Sequence, residues 1–231
     1  MNIALLGYGK MGQLVEKIAK ERGHDCPVII DKKTDTIDYS KFDVAINFST
    51  PETAFDLISG CIQNRVAVIS GTTGWLENYP KIVSLCEQEN GSFLYASNFS
   101  LGVNLFFALN EHLSRLMSQT GQYQPSIKEI HHIHKVDAPS GTAISLGEPI
   151  IRDFDLVNFS DSPKEKHLHI KSERQGEVPG THTVSYSNEV DQIQITHEAY
   201  NRNGFALGAV IAAEWILDKK GVFSMKDVLS L

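Results

Sequence analysis

The stretch "IALLGYGKMGQLVEKIAKERG", residues 3–23, decides the fold of the first half of the chain. A short apolar run passes through Gly7, Gly9 and Gly12 at GxGxxG spacing. Met11, Leu14, Val15, Ile18 and Ala19 then recur at i, i+3, i+4, i+7 and i+8, one face of a helix. A GxGxxG match alone matches many loops. Between a buried strand and an amphipathic helix it specifies a turn that brings backbone N–H groups to a pyrophosphate. A second strand, "PVIID" (27–31), ends in Asp31, nineteen residues beyond Gly12, where an acid would bond the adenosine ribose hydroxyls. The stretch therefore predicts a dinucleotide-binding unit.

Further strands are predicted at 44–49, 66–70 and 93–97, separated by helical segments; in the first of these Thr50 can cap and Pro51 can occupy the first helical position. This alternation predicts a Rossmann-like α/β domain, a parallel sheet with helices on both faces. Only "KKTDTIDYSKF" (32–42) joins the second and third strands, which is short for a full crossover helix. Ligands bind at the carboxyl ends of such strands. There the chain carries "SGTTGW" (70–75) and "ASNFSLG" (96–102), small polar stretches that let a cofactor ring approach the backbone.

Composition narrows the function classes. The chain has 231 residues, 42% hydrophobic and 21% charged, with a formal charge of −7, so it is expected to fold and not to bind nucleic acid. No apolar run has the length of a membrane span, and the N-terminus enters a strand without a leader pattern. A cytoplasmic location with no membrane partner is expected. Cys26, Cys61 and Cys86 are well separated, with no CxxC spacing, and read as packing residues.

After Gly102 the pattern changes. "VNLFFALNEHLSRLM" is helical, with apolar Leu105, Phe106, Leu109, Leu113 and Leu116. Alternating strands follow at 126–132, 167–174, 181–187 and 191–200, as expected of an open mixed sheet with one wet face. Residues 155–166 read as a surface loop, and 204–220 as an Ala-rich amphipathic helix. The expected architecture is a dinucleotide domain of residues 1–102 and 202–231, with an inserted α+β domain of 103–201.

The inserted domain contains "EIHHIHKVDAPSGTA", residues 129–143. On a strand, His131 and His132 face opposite ways, so a bend is needed for both to enter one pocket. "DAPSG" supplies turn chemistry. Ser140 then caps a helix opened by Gly141 and Thr142, whose free N–H groups attract a carboxylate, and Lys135 adds a full charge. Histidines, a lysine and an anion-binding turn read as a site that binds a carboxylate and transfers a proton. Three alternatives remain. His132 and His134 could ligate a metal, but no third ligand has strong spacing, so no metal is expected. The same residues could be exposed scaffold. The whole chain could be a dinucleotide-binding sensor, or a dehydrogenase of another small dicarboxylate or amino acid. Pro149 predicts that the helix kinks or ends early.

That segment, with "GYGKMG", "SGTTGW" and "ASNFSLGVN" in this order, resembles the 4-hydroxy-tetrahydrodipicolinate reductase (dihydrodipicolinate reductase) family over nearly the whole chain. The resemblance implies hydride transfer from NADH or NADPH to a small cyclic dicarboxylate in diaminopimelate and lysine biosynthesis, by a homotetramer. It implies His131 as proton donor, Lys135 as its assistant and a substrate contact, and His132 with Gly141 and Thr142 as carboxylate ligands. Implied cofactor contacts are Gly7, Gly9, Lys10, Met11 and Gly12, then Gly71, Thr72 and Thr73, then Ala96, Ser97, Asn98 and Phe99. Arg202 falls where the family has an arginine near the hinge.

Overall fold

A computed structural model of the chain describes residues 1–31 and 36–231. They form two compact units, Met1–Leu101 with Asn203–Leu231, and Gly102–Arg202.

The first unit begins β1 (Asn2–Leu6), α1 (Lys10–Glu21), β2 (Asp25–Ile30), β3 (Val44–Asn47), α2 (Pro51–Gln63), β4 (Ala67–Ser70), α3 (Tyr79–Gln88) and β5 (Ser92–Tyr95). Strand alternation between two covered faces explains why the central strands β1, β3, β4 and β5 are buried along most of their length. Ile3 and Leu5 of β1 pack against Val15, Ile18 and Ala19 of α1. Ala4 and Leu6 point the other way, onto Ala54, Ile58 and Ile62 of α2 and Ile82 of α3. Each such side chain, fully buried, contributes about 1.5–3 kcal/mol. Between β2 and β3 the described residues hold only a short 3₁₀ turn, Tyr39–Lys41, as the short connection requires.

The second unit carries α4 (Leu101–Ser118), β6 (Gln124–His131), α5 (Gly141–Asp153), β7 (Asn158–Ser160), β8 (His167–Arg174), β9 (Gly180–Ser187) and β10 (Gln192–Ala199). Its mixed sheet has the order β10-β9-β6-β8-β7, with β6 antiparallel to β9 and parallel to β8. Ile127, Leu168, Ile170, Val184 and Tyr186 cover one face and pack on Phe106 and Met117 of α4 and Leu146 and Ile150 of α5.

The chain then returns as α6 (Asn203–Ile216), β11 (Gly221–Phe223) and α7 (Met225–Leu229), and β11 completes a six-stranded parallel sheet of order β11-β5-β4-β3-β1-β2.

Four expectations are corrected. Residues 155–166 are not all loop, because β7 pairs with β8 as a three-residue edge strand too short to show alternation. The segment 204–220 is not amphipathic: α6 buries residues around its circumference, and the strand and helix after it carry no periodic signal. The leucine pattern of α4 does not mark its core face. Val103, Phe106, Asn110, Ser114 and Met117 are buried, whereas Leu105, Leu109 and Leu116 are about half exposed; Asn110 is drawn in because its amide donates to the Leu146 carbonyl at 2.9 Å. Finally, of the two outcomes expected at Pro149, a kink or an early end, the early end does not occur: α5 runs through Pro149 to Asp153. The amide that proline lacks would have served Ser145, which is exposed, so water can take that carbonyl.

One close approach sets a stability prediction. A methyl group at Gly208 of α6 would overlap the backbone carbonyl oxygen of Phe99, which cannot swing aside. Gly208→Ala is expected to cost about 1–3 kcal/mol, lowering Tm by roughly 2–10 °C. A thermal melt superimposable on the parent's would refute this packing account.

Candidate active site

The glycine turn is built as its spacing implies. Gly7 has a φ of 98°, a conformation that favours glycine, and a side chain there would also strike the Phe48 carbonyl. Gly12 lies inside α1 against the Gly7 carbonyl, so the helix start approaches the turn closely. Gly9 is the N-cap of α1 and offers no side chain to its first N–H groups, and Lys10 and Met11 occupy that first turn. Those amides have no intrahelical acceptor and suit a phosphate.

Beside the turn lies a pocket of about 560 Å³ lined by Gly7, Tyr8, Gly9, Ile30, Asp31, Phe48, Ser49, Thr50, Thr53, Asp56 and Leu57. Asp31 sits just beyond the end of β2, as a ribose-binding acid requires, while Lys32 and Lys33 lie outside the described residues. Asn47 and Ser49 at the end of β3, and Thr53 and Asp56 in the first turns of α2, carry no signal in the sequence because no glycine motif marks them. Asn47 is fully buried; its amide donates to the Ser70 hydroxyl at 3.1 Å and its oxygen accepts from Ser49 N–H. It thus ties the β3 end to the β4 end.

Gly71 follows β4 directly, with its N–H on the Asn47 carbonyl, and a side chain there would collide with the Phe48 ring. Thr72 is buried and its carbonyl accepts from the Trp75 indole at 2.7 Å; Thr73 is exposed. Ala96 N–H donates to the Ser70 carbonyl, Ser97 is exposed and Asn98 caps the amide of Ser100. The Phe99 side chain is buried in the core, edge-on to Phe48, so only its backbone remains for a ligand.

In the second unit, strand register assembles the histidine site. Glu129 and His131 are two apart on β6 and share the helix-bearing face with Ile127. On β9 the residue opposite Glu129 is His182; on β8 the residues opposite Glu129 and His131 are Ser172 and Arg174. All sit near the carboxyl end of β6, where the start of α5 meets the sheet. Ser140 caps α5, accepting from Ala143 N–H at 3.2 Å and meeting His182 Nε2 at 3.2 Å. Such a cap is worth about 1 kcal/mol. Gly141 is exposed and Thr142 partly so.

Glu129 is fully buried. Its Oε1 accepts from the Ser140 amide at 3.0 Å and the Ser172 hydroxyl at 2.7 Å, and lies 3.8 Å from the Arg174 guanidinium. Its Oε2 lies 3.4 Å from His131 Nδ1 and 3.6 Å from His182 Nε2. Burial alone would raise the Glu129 carboxyl, but the nearby His182 ring and the hydrogen bonds from Ser140 and Ser172 overcome it and hold the group down at about 2. His131 goes the opposite way from an ordinary histidine. Burial, with the charges of His182, Lys135 and Arg174, outweighs Glu129 and pushes it down to about 4. At that value the ring is neutral near pH 7.

Strand β6 stops at His131, and the chain turns immediately, which separates the neighbouring histidines. His132 is partly buried; His134 is exposed beside Glu177. Lys135 Nζ lies 2.8 Å from Asp137 Oδ1, and Arg174 straps the loop by donating to the carbonyls of Lys135 and Asp137. Among the described residues the metal-like spacing belongs to Glu129, His131 and His182 and not to His132 and His134. The Arg174 guanidinium, 3.8 Å from Glu129 Oε1, already sets a positive charge beside that carboxylate and opposes a dication. Glu129, Ser172, Arg174 and His182 carry no local signal in the sequence, and only the register of three strands brings them together.

A glycine turn for a dinucleotide and a cationic, histidine-bearing site at a free helix start define the class: an oxidoreductase that uses a nicotinamide nucleotide on a small anion. Comparison with known proteins is consistent with this. Residues 1–99 match the family profile "Dihydrodipicolinate reductase, N-terminus" and residues 102–229 match "Dihydrodipicolinate reductase, C-terminus". The chain is 50% identical to the 4-hydroxy-tetrahydrodipicolinate reductase of Christiangramia forsetii, over 100% of this chain and 98% of the relative. It is 36% identical to that of Buchnera aphidicola subsp. Schizaphis graminum, over 84% and 74%. A dipicolinate-bound dihydrodipicolinate reductase from Paenisporosarcina sp. TG-14 superposes with a TM-score of 0.82 at 21% identity, covering 98% of each chain, which speaks to the fold. The chain belongs to the dihydrodipicolinate reductase family, the NAD(P)H-dependent reductases of diaminopimelate and lysine biosynthesis.

Proposed function

We propose that the chain reduces 4-hydroxy-tetrahydrodipicolinate with His131 as the acid, Lys135 assisting it, and His132, Gly141 and Thr142 holding a substrate carboxylate. The observation that carries this reading is the shared carboxylate of Glu129, which bonds the Ser140 amide at the start of α5 and also faces His131. Acid and carboxylate-binding turn are thereby part of one network. Ser140 serves the substrate indirectly, as the cap that keeps the Gly141 and Thr142 amides aimed outward.

The substrate is a cyclic imine dicarboxylate. Loss of its hydroxyl as water leaves a conjugated ring that accepts hydride at C4; electron density moves toward the ring nitrogen, and a proton completes the addition. The bound nicotinamide supplies the hydride. The turn at Gly7, Gly9, Lys10, Met11 and Gly12 and the strand-end stretches Gly71, Thr72, Thr73 and Ala96, Ser97, Asn98 and Phe99 hold the nucleotide. A dianionic substrate beside Lys135 and Arg174 offsets the charges that depress His131, so the ring gains its proton when the substrate is in place. The work is cytoplasmic.

A coupled assay tests the reading: oxidation of reduced nicotinamide in the presence of dihydrodipicolinate synthase, pyruvate and aspartate semialdehyde, with dipicolinate as inhibitor. No oxidation would end it.

Two predictions accompany it. Asp31 favours a free ribose 2′-hydroxyl, and the sequence follows it with Lys32 and Lys33, whose charges would suit a 2′-phosphate, so both NADH and NADPH are expected to serve. A preference above about a thousandfold in kcat/KM, roughly 4 kcal/mol, contradicts this. The polar outer face of the second sheet, with Thr181, Thr183, Gln194 and Thr196, supports a homotetramer built through these sheets. Light scattering at micromolar concentration should give four times the chain mass, and a monomer alone would refute it.

A further inference from the structure

We propose that Glu129 is the positioning residue of the proton-transfer site, orienting His131 through Nδ1 while it anchors the first turn of α5 through the Ser140 amide. The inference rests on the reading of His131 as the acid.

The two oxygens of this carboxylate are used differently. Oε1 is satisfied by the Ser140 amide and the Ser172 hydroxyl. Oε2 is buried and makes no hydrogen bond in the free protein, lying 3.4 Å from His131 Nδ1 and 3.6 Å from His182 Nε2. A purely structural carboxylate would have both oxygens bonded, because an unsatisfied buried acceptor is costly. Here one oxygen is held back, facing the nitrogen of a ring that must become positively charged. Contacts of this kind are commonly long in free enzymes and tighten when the reacting state forms.

The orientation of the ring agrees. With Nδ1 toward Glu129, Nε2 points to Gly180 at the start of β9, where a side chain would crowd it. The glycine leaves the delivering nitrogen open. The charged and titratable groups facing His131 are Glu129 on its own strand, Arg174 on β8, His182 on β9, and Lys135 in the following turn; Asp137 neutralises Lys135 from one side. Glu129 is the anion among them that reaches the ring directly. It also fixes the tautomer, because a neutral His131 places its hydrogen on Nδ1, toward the carboxylate, and takes up the transferable proton at Nε2.

The test is Glu129→Gln, which keeps an acceptor for Ser140 and Ser172, removes the charge and turns an amide donor toward His131 Nδ1 in place of the acceptor Oε2. The expected kcat falls roughly 10- to 100-fold, the range for losing an outer partner that orients a metal-bound imidazole. Substrate KM stays within about threefold, since the helix start is still anchored. The alkaline limb of the kcat profile moves to lower pH, because without the anion His131 faces only cations and holds its proton less well. In a His131→Gln background the same substitution should cost less than about threefold, because Glu129 acts through that ring. An unmoved pH limb, or losses that multiply in the double variant, overturns the proposal. Should Glu129→Gln fail to fold, nitrogen NMR of histidine in the unmodified protein decides: a neutral His131 carrying its hydrogen on Nε2 overturns it equally. The two readings fail separately. If His131→Gln keeps kcat, the acid assignment falls; if it loses kcat while Glu129→Gln leaves the profile in place, only the role of Glu129 falls.

Discussion

His131→Gln lowers kcat by roughly a hundredfold to ten-thousandfold while nicotinamide nucleotide affinity stays nearly unchanged. The range is what general acid catalysis typically contributes. The nucleotide should be indifferent because the glycine turn and its pocket belong to the first unit, whereas His131 belongs to the second. Glutamine replaces the ring with a polar group of similar reach, so the network around Glu129 keeps a hydrogen-bonding neighbour and the variant should fold. Burial and the cations around it hold free His131 at about 4, well below an ordinary histidine. A dianion therefore has to lift its proton affinity, and substrate binding should take up a proton between roughly pH 4 and 7. Affinity for a dicarboxylate then rises as pH falls through that window, and in His131→Gln the dependence flattens. Steady-state kinetics with nucleotide titrations checks the first statement, and binding calorimetry in buffers of different ionisation heat checks the second. Near-parental kcat in His131→Gln would leave the histidine segment as scaffold.

The sequence carried the first unit further than the second. Its parallel strands are buried on both faces and read as continuous apolar runs, and Gly7, Gly9 and Gly12 act through backbone geometry that a local pattern can encode. The segment 129–143 likewise carried a local signal, because Ser140, Gly141 and Thr142 form a contiguous cap and helix start. The residues that tune that site did not show, since His182, Ser172 and Arg174 come from two other strands and meet Glu129 only through cross-strand register. Register is a tertiary property. The same limit hid β11, three residues whose identity as a strand depends on β5 beside it. The leucines of α4 misled for a related reason, because a pattern identifies an apolar face but not what covers it, and the core of this unit accepts buried Asn110 and Ser114 in its place.

Lys135→Ala is expected to lower kcat and raise substrate KM together. The lysine side chain is 22% exposed and reaches Asp137 at 2.8 Å, so in the free protein its charge is engaged at the surface of the site and available to an incoming carboxylate. Its backbone is held independently: the amide bonds the His132 carbonyl, and its carbonyl accepts from Arg174 at 3.1 Å. Truncating the side chain should therefore leave the turn in place and report on the ammonium alone. A charge-assisted contact is worth roughly 1.5–3 kcal/mol, about 10- to 150-fold in KM. Asp137 is expected to add to that loss, because without Lys135 its carboxylate is left unpaired. The kcat component arises if the ammonium also helps move the proton that His131 delivers. Lys135→Arg separates the two, since a guanidinium keeps the charge but does not release a proton. It should restore most of KM and little of kcat. If Lys135→Ala leaves KM unchanged, the lysine does not contact substrate. If Lys135→Arg restores kcat fully, its contribution is charge alone and His131 works without a second proton donor.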